Sequence, residues 1–292
     1  MHVCRQATAV VALSLAVLGW APHAGAVQVT DDRGQVVNFL QAPKRIVSLL
    51  PSVTETICAL GHCQALVAVD QYSNYPVTVQ ALATVGGGLD PNIEAILVLR
   101  PDVVLMATSA RAGERLRALG IRVLAFEPKT HADLRRATGQ LARMLMLKDP
   151  DQLWARMEDE LAQVAKSLPP STAGMRVYFE ANSGPFAASE SSFIGETLAR
   201  LGVKNIVPGS LGPFPQINPE FVVRANPEVI LVGDVHSLGL EDRPGWKVMR
   251  AIREKRVCRF TAEEADILVR PGPRMPQAAR TMAQCLRNHA SL

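Results

Sequence analysis

Asn92-Ile-Glu-Ala-Ile-Leu-Val-Leu-Arg-Pro-Asp-Val-Val-Leu105 recurs without a gap as Asn218-Pro-Glu-Phe-Val-Val-Arg-Ala-Asn-Pro-Glu-Val-Ile-Leu231. Each copy opens on asparagine, carries a glutamate two places on, and meets a proline just before a β-branched run. Two further pairs occur in the same order. Glu55-Thr-Ile-Cys-Ala-Leu-Gly61 and Glu196-Thr-Leu-Ala-Arg-Leu-Gly202 share E-T-x-x-x-L-G. Arg117-Ala leading to Val123-Leu-Ala-Phe126 is answered by Arg250-Ala leading to Val257-Cys-Arg-Phe260. One such match arises by chance, whereas three in one order mark a duplication. The period is far too long for a solenoid, so the chain reads as two lobes of similar topology.

Each lobe follows one physical grammar. A short apolar run, Arg45-Ile-Val-Ser-Leu-Leu50 or Arg176-Val-Tyr-Phe-Glu180, reads as a buried strand. An amphipathic helix follows and stops at Gly61 or Gly202, where a left-handed residue ends it. A second helix is expected to open at Asp90-Pro91 or Asn218-Pro219, a capping side chain before a proline at the first helical position. It ends before Pro101 or Pro227, and Asp102-Val-Val-Leu-Met106 or Glu228-Val-Ile-Leu-Val232 begins a second buried strand. Strands and helices alternating at these lengths give an α/β fold with mainly parallel sheets covered by helices. Between the lobes, Leu153, Met157, Leu161, Val164 and Leu168 recur at spacings of three and four, one helix with a single apolar stripe. The expected division is residues 1–26 as a signal peptide, 27–148 as the first lobe, 149–168 as a stiff bridging helix, and 169–292 as the second lobe.

The start of the chain sets the compartment. Arg5 precedes an apolar run from Ala7 to Trp20, and Ala24-Gly25-Ala26 suits signal peptidase. The run is short for a membrane span of roughly 20 residues, so export to the periplasm and a mature start near Val27 are expected. Losing this leader removes one basic residue and lowers the formal charge from +4 to +3. So weak and dispersed a charge argues against a nucleic-acid partner. Four cysteines remain: Cys58, Cys63, Cys258 and Cys285. An even number in an exported chain favours disulfides, with three pairings open. Cys58 stands in the last turn of a helix and Cys63 just past its stop at Gly61, where a reversing chain brings the two together. Cys58–Cys63 with Cys258–Cys285 is therefore the expected pairing, and four buried thiols are the alternative. Zinc is disfavoured because there is no Cys-x-x-Cys and no histidine is read at a ligand spacing from either pair.

The order Arg45-Ile-Val-Ser-Leu-Leu-Pro-Ser-Val-Thr-Glu55, Tyr72-Ser-Asn-Tyr-Pro76, Asn92-Ile-Glu94 and Leu99-Arg-Pro-Asp-Val-Val-Leu105 resembles the helical-backbone periplasmic binding proteins. Those proteins serve ABC importers of cobalamin, ferric siderophores and haem, and the resemblance runs from about Val29 to the last helix. Asn182-Ser-Gly-Pro-Phe186, Gly212-Pro-Phe-Pro-Gln216 and Arg270-Pro-Gly-Pro-Arg274 are similar to the ligand-facing segments of the cobalamin-binding branch. The resemblance implies a receptor that grips a corrinoid between aromatic side chains of both lobes, here Tyr72, Phe186 and Phe214. Arg270 and Arg274 are either solvated loop charges or, where they face the cleft, partners of a phosphate or amide of that ligand. The resemblance also implies that Glu94 and Glu220, one per lobe, dock on arginines of the membrane-embedded importer dimer. The chain departs from the pattern at two places. Gly86-Gly87-Gly88 and Thr108-Ser109-Ala110 stand where the branch has tryptophans. Thinner aromatic walls keep cobinamide beside cobalamin as the expected ligand, with haem or a ferric siderophore as the alternative.

Rival classes lack their signatures. No G-x-S-x-G elbow, H-E-x-x-H or phosphate loop is present, and the serines Ser189, Ser191 and Ser192 have no evident histidine partner, so an exported hydrolase is disfavoured. A metal-ion receptor needs clustered ligands, whereas His62, His131, His236 and His289 are scattered. A sensor on the same fold stays open. The expectation is a soluble, monomeric receptor with no catalytic residues, no resident cofactor or metal, and a transported small molecule as ligand.

Overall fold

The computed structural model describes residues 26–182, 184–233 and 239–290. The expected signal peptide therefore lies outside the described residues. The chain enters on an antiparallel hairpin, β1 (Val27–Thr30) and β2 (Val36–Phe39). The first lobe is built on β3 (Ile46–Ser48), β4 (Leu66–Val69), β5 (Ala83–Thr84), β6 (Val103–Met106) and β7 (Val123–Ala125). These pair in the order β5-β4-β3-β6-β7, all parallel. The second lobe uses β8 (Arg176–Asn182), β9 (Phe186–Ala187), β10 (Lys204–Asn205), β11 (Val229–Gly233) and β12 (Val257–Phe260). There β10-β8-β11-β12 are parallel, and short β9 folds back antiparallel on β8. Dropping the edge strands β5 and β9 leaves one order in both lobes, as a duplication requires. Each sheet carries an apolar core on both faces, which is why its strands read as unbroken hydrophobic runs.

The duplication reaches single hydrogen bonds. Arg45 and Arg176 open the first strand of their lobes. Asp102 accepts the Arg45 N–H at 2.9 Å, and Glu228 accepts the Arg176 N–H at 3.0 Å. The two guanidinium groups donate to equivalent carbonyls, Leu99 at 2.7 Å and Ala225 at 2.9 Å. Arg100 and Asn226, each just before the proline, are both left-handed with φ of 45°.

The helices are α1 (Pro51–Ala59), α2 (Ile93–Val98), α3 (Ala112–Ala118) and α4 (His131–Met144) in the first lobe. The bridge is α5 (Gln152–Lys166). The second lobe has α6 (Phe193–Arg200), α7 (Pro219–Ala225), α8 (Arg250–Arg253), α9 (Ala262–Val269) and α10 (Met275–Ala290). Gly61 and Gly202 stop α1 and α6 at φ of 82° and 80°, a backbone region that costs a side-chain-bearing residue about 1 kcal/mol or more. Leu153, Met157, Leu161 and Val164 of α5 are buried in the core that also holds α10. The first-lobe cap differs from the sequence reading. Asn92, not Asp90, caps α2, accepting the Ala95 N–H at 3.0 Å. The Asn92 N–H is held by the Val85 carbonyl at 2.8 Å, so Pro91 stays outside the helix. In the second lobe Asn218 caps α7 as expected, accepting the Glu220 N–H at 2.9 Å.

Both expected disulfides are present, Cys58–Cys63 with Cα atoms 4.1 Å apart and Cys258–Cys285 with Cα atoms 6.0 Å apart. One sequence reading is corrected here. His289 lies one helical turn beyond Cys285, and its ring nitrogen comes within 4.8 Å of both sulfurs. The sulfurs are bonded to each other, which leaves the imidazole without thiolate co-ligands. No helix among the described residues is long and apolar enough to cross a membrane.

Candidate functional site: the cleft between the lobes

The carboxyl ends of β3, β4, β6 and β7 all open on one side of the first sheet, where doubly wound folds take ligands. The residues that follow these strands include Leu49 and Leu50, Asp70 and Tyr72, Ala107, and Glu127. With Gly87 and Gly88 they line a cavity of about 590 Å³. Ligand sites commonly hold roughly 300–1,000 Å³. Tyr72 is 60 % exposed on this wall. The glycine floor has a packing reason, since a Cβ on Gly88 would sit 2.5 Å from the Leu49 carbonyl oxygen. Any side chain at Gly88 would have to shift Leu49, the residue that follows β3.

The wall carries acid and no lysine, arginine or histidine. Asp70 is buried and accepts the Ser73 hydroxyl and the Tyr72 N–H, both at 2.7 Å. Burial raises its pKa above the ordinary carboxylate value, against those hydrogen bonds and nearby Arg270. Glu127 takes the Thr108 hydroxyl and, at 3.0 Å, the Ser109 N–H on one carboxylate oxygen.

The second lobe presents the carboxyl ends of β8 and β11 with α9, around a smaller cavity of about 190 Å³ that includes Glu180, Asp266 and Leu268. Glu180 is buried and binds Arg243 through both oxygens, at 2.7 and 2.8 Å. The Tyr178 hydroxyl donates to Glu180 at 3.2 Å. Burial, then that carboxylate, push the phenol well above its usual pKa. Arg243 also lies 4.7 Å over the Trp246 ring.

The lobes are tied across the cleft. Glu55 of α1 is 2 % exposed and Arg274 is 8 % exposed. Arg274 donates to both Glu55 oxygens, at 2.8 and 2.6 Å, and its guanidinium lies 4.3 Å over the Tyr75 ring. Arg270 donates to Glu55 at 3.2 Å, to Asn74 at 2.7 Å, to the Tyr72 carbonyl at 3.2 Å and to Asp266 at 2.6 Å. Asn74 in turn donates to Asp266 at 3.0 Å. The arginines read from sequence as partners of a ligand's phosphate or amide are thus both engaged with Glu55. The equivalent glutamate of the second lobe, Glu196 in α6, accepts the backbone N–H of His131 at the start of α4. His131 Nε2 lies 2.9 Å from the Thr197 hydroxyl, and the Phe193 N–H donates to the Lys129 carbonyl at 2.7 Å. Burial lowers the His131 pKa, opposed by Glu196 and Glu158 and reinforced by Arg200.

Of the three aromatics read from sequence, Tyr72 alone lines the 590 Å³ cavity. Phe186 sits on β9, 37 % exposed, with Gly184 against its ring. Phe214 packs on Phe193 of its own lobe, ring centroids 5.8 Å apart. Glu94 and Glu220 are both exposed in the first turns of α2 and α7, at equivalent places on the two lobes. Sequence reasoning missed Glu55, Glu127 and the Glu180–Arg243 pair. A signal for Glu55 existed, because a glutamate repeated at the same place in two helices, and the one charge in the first of them, needs a partner.

Residues 46–264 match the model of the periplasmic binding protein family. The chain belongs to that family. It is 29 % identical over 273 residues to an uncharacterized ABC transporter substrate-binding lipoprotein of Bacillus subtilis, covering 89 % of this chain and 85 % of that protein. Its fold is similar to the periplasmic vitamin B12 binding protein of Vibrio cholerae, with a TM-score of 0.68 and 25 % identity over 86 % of this chain and 99 % of the other. It is likewise similar to the periplasmic heme-binding protein of Roseiflexus, with a TM-score of 0.69 and 26 % identity over 85 % of this chain and 99 % of the other. As a periplasmic binding protein the chain has the two-lobed α/β architecture of these relatives. Their names divide between two macrocycles.

Proposed function

We propose that this periplasmic binding protein captures a corrinoid, cobalamin or cobinamide, between its lobes in the periplasm and delivers it to an ABC importer. One observation carries the reading: among the described residues the first-lobe wall is broad, apolar and acidic, and carries no cation. The two arginines that tie the lobes, Arg270 and Arg274, are paired with Glu55 and Asp266. Haem brings two carboxylates and a ferric catecholate brings net negative charge. Either would lose water at this wall and gain no cation, which is unfavourable. A corrin ring is fringed by primary amides and centred on a metal cation, so its rim offers donors to the carboxylates of the wall. Tyr72 supplies an aromatic face for a flat ring. Glu94 and Glu220, exposed on both lobes, are suited to dock on cationic groups of the importer dimer, where charge pairs fix register. The reading assigns no catalytic residue.

Calorimetry with cobalamin, cobinamide, haem and a ferric siderophore tests it. Tight binding of a corrinoid is expected, weakened about tenfold to a hundredfold by Tyr72→Ala, as for loss of one stacked aromatic. Binding of haem and neither corrinoid would move the protein to the haem receptors of the same fold.

A further inference from the structure

We propose that Glu127 is a specificity-determining ligand contact. Its open carboxylate oxygen takes a hydrogen-bond donor from the ligand's rim, a primary amide or a cationic group, and turns away macrocycles that present carboxylates. For the amide this rests on the corrinoid reading; the exclusion of anions does not.

Glu127 follows β7, whose backbone is held on both sides. The Glu127 N–H donates to Asp32 at 2.9 Å, and Asp32 is braced by Arg136. One carboxylate oxygen, Oε2, is anchored by the Thr108 hydroxyl and the Ser109 N–H. The other, Oε1, has no hydrogen-bond partner among the described residues. It is also not among the sequestered polar atoms, while the residue lines the 590 Å³ cavity. The side chain is therefore a fixed acceptor with one lone-pair face turned to the cleft. Such a group needs little reordering when a ligand arrives, which favours binding. Arg33 of the same lobe donates to the Thr108 and Ala110 carbonyls and makes no ion pair with Glu127 among the described residues. Because Thr108, Ser109 and Ala110 are small, they leave this carboxylate uncovered. An uncompensated carboxylate that meets a second one is repelled. Meeting a donor, it forms a charge-assisted hydrogen bond, roughly twice as strong as a neutral one.

The test uses wild type, Glu127→Ala, Glu127→Gln and Glu127→Lys, with Glu114→Gln as an exposed carboxylate control on α3. Each is titrated with cobinamide and with haem, and thermal melts verify folding. Glu127→Ala should weaken cobinamide at least tenfold, and Glu127→Lys a hundredfold or more. Glu127→Gln should fall between wild type and alanine, since its amide oxygen still accepts. Glu127→Lys should tighten haem at least tenfold. Glu114→Gln should move neither ligand. Cobinamide affinities within twofold of wild type in both the alanine and lysine variants would overturn the proposal. A wild type that binds haem and no corrinoid refutes the corrinoid reading. Glu127 is then judged on haem alone, where tightening by lysine upholds its role in excluding anions and an unchanged affinity overturns it.

Discussion

Removing Glu55 should loosen the contact between the lobes. The carboxylate is 2 % exposed and accepts three hydrogen bonds from two arginines of the opposite lobe. Breaking a buried ion pair by deleting one partner commonly costs about 3–5 kcal/mol, because the other charge stays buried without compensation. The two arginines share that loss unequally. Arg270 keeps Asp266, Asn74 and the Tyr72 carbonyl. Arg274 keeps only the Tyr75 face among the described residues. One guanidinium, not two, is stranded, which places Glu55→Ala near the lower end, about 3 kcal/mol. At about 2–4 °C per kcal/mol for a chain approaching this size, the melting midpoint should fall by roughly 6–12 °C. Glu55→Leu/Arg274→Leu removes both charges and fills the space, and apolar replacement of a buried pair is often neutral or stabilising. The double variant should therefore recover most of the loss. Urea titration of ligand-free wild type, single and double variants measures all three. The reasoning is refuted if Glu55→Ala loses under about 1 kcal/mol, or if the double variant is less stable than the single.

Other outcomes follow from other parts of the structure. The Cys258–Cys285 bridge spans 27 residues and Cys58–Cys63 spans 5, so chain-entropy scaling gives about 3.5 and about 2 kcal/mol respectively. Replacing each pair by serine and comparing urea midpoints should show the larger loss for Cys258–Cys285. The buried, pKa-lowered His131 binds fewer protons folded than unfolded, so stability should fall as pH drops below about 6.5. His131→Gln should flatten that part of the stability–pH curve, and an unchanged slope would exclude the histidine as its source. Glu94→Arg/Glu220→Arg should abolish transport in reconstituted vesicles while leaving ligand affinity and the melting midpoint near wild type. Normal transport would remove their docking role, and lost ligand binding would place them in the cleft.

The fold was legible because its signals are local and doubled. Pro101 and Pro227 end helices, Gly61 and Gly202 turn the chain, and β-branched runs follow within a residue or two. Two copies of each signal remove the ambiguity that one short apolar run carries. The cysteine pairing was legible for Cys58 and Cys63 because the turn between them is short. The cap at Asn92 was misread because Asp90-Pro91 is an equally good local signal, and a tertiary hydrogen bond from Asn92 to Val85 decides between them. The contact of the two arginines with Glu55 was hidden for a deeper reason. Their partner Glu55 lies more than two hundred positions away in the chain, and a charge in a loop looks alike whether it meets a ligand or another lobe. Glu127 was invisible for the opposite reason. The repeat before it, Val123–Phe126 and Val257–Phe260, stops short of it, because Thr261 answers Glu127, and its proposed role depends on which carboxylate oxygen is left over once the loop has closed.

Glu55 and Glu196 occupy the same place in their repeats, yet their partners differ in kind. Glu196 meets a backbone N–H and a histidine that burial keeps largely neutral. Glu55 meets two permanent cations that also hold the Tyr72–Tyr75 turn. The residues three positions earlier behave alike as well. Phe193 binds the Lys129 carbonyl of the other lobe, and Ser52 lies against Gly272 of the other lobe. One duplicated segment thus holds the interface from both sides, and the two copies have diverged in charge. The charged copy is the one whose arginines reach the Tyr72–Tyr75 turn. Arg270 belongs to the second lobe and the Tyr72 carbonyl to the first, so the lobes cannot separate without breaking that bond. Tyr72 is the aromatic that lines the cavity. Spreading the lobes would therefore break a hydrogen bond that holds the turn carrying the Tyr72 ring.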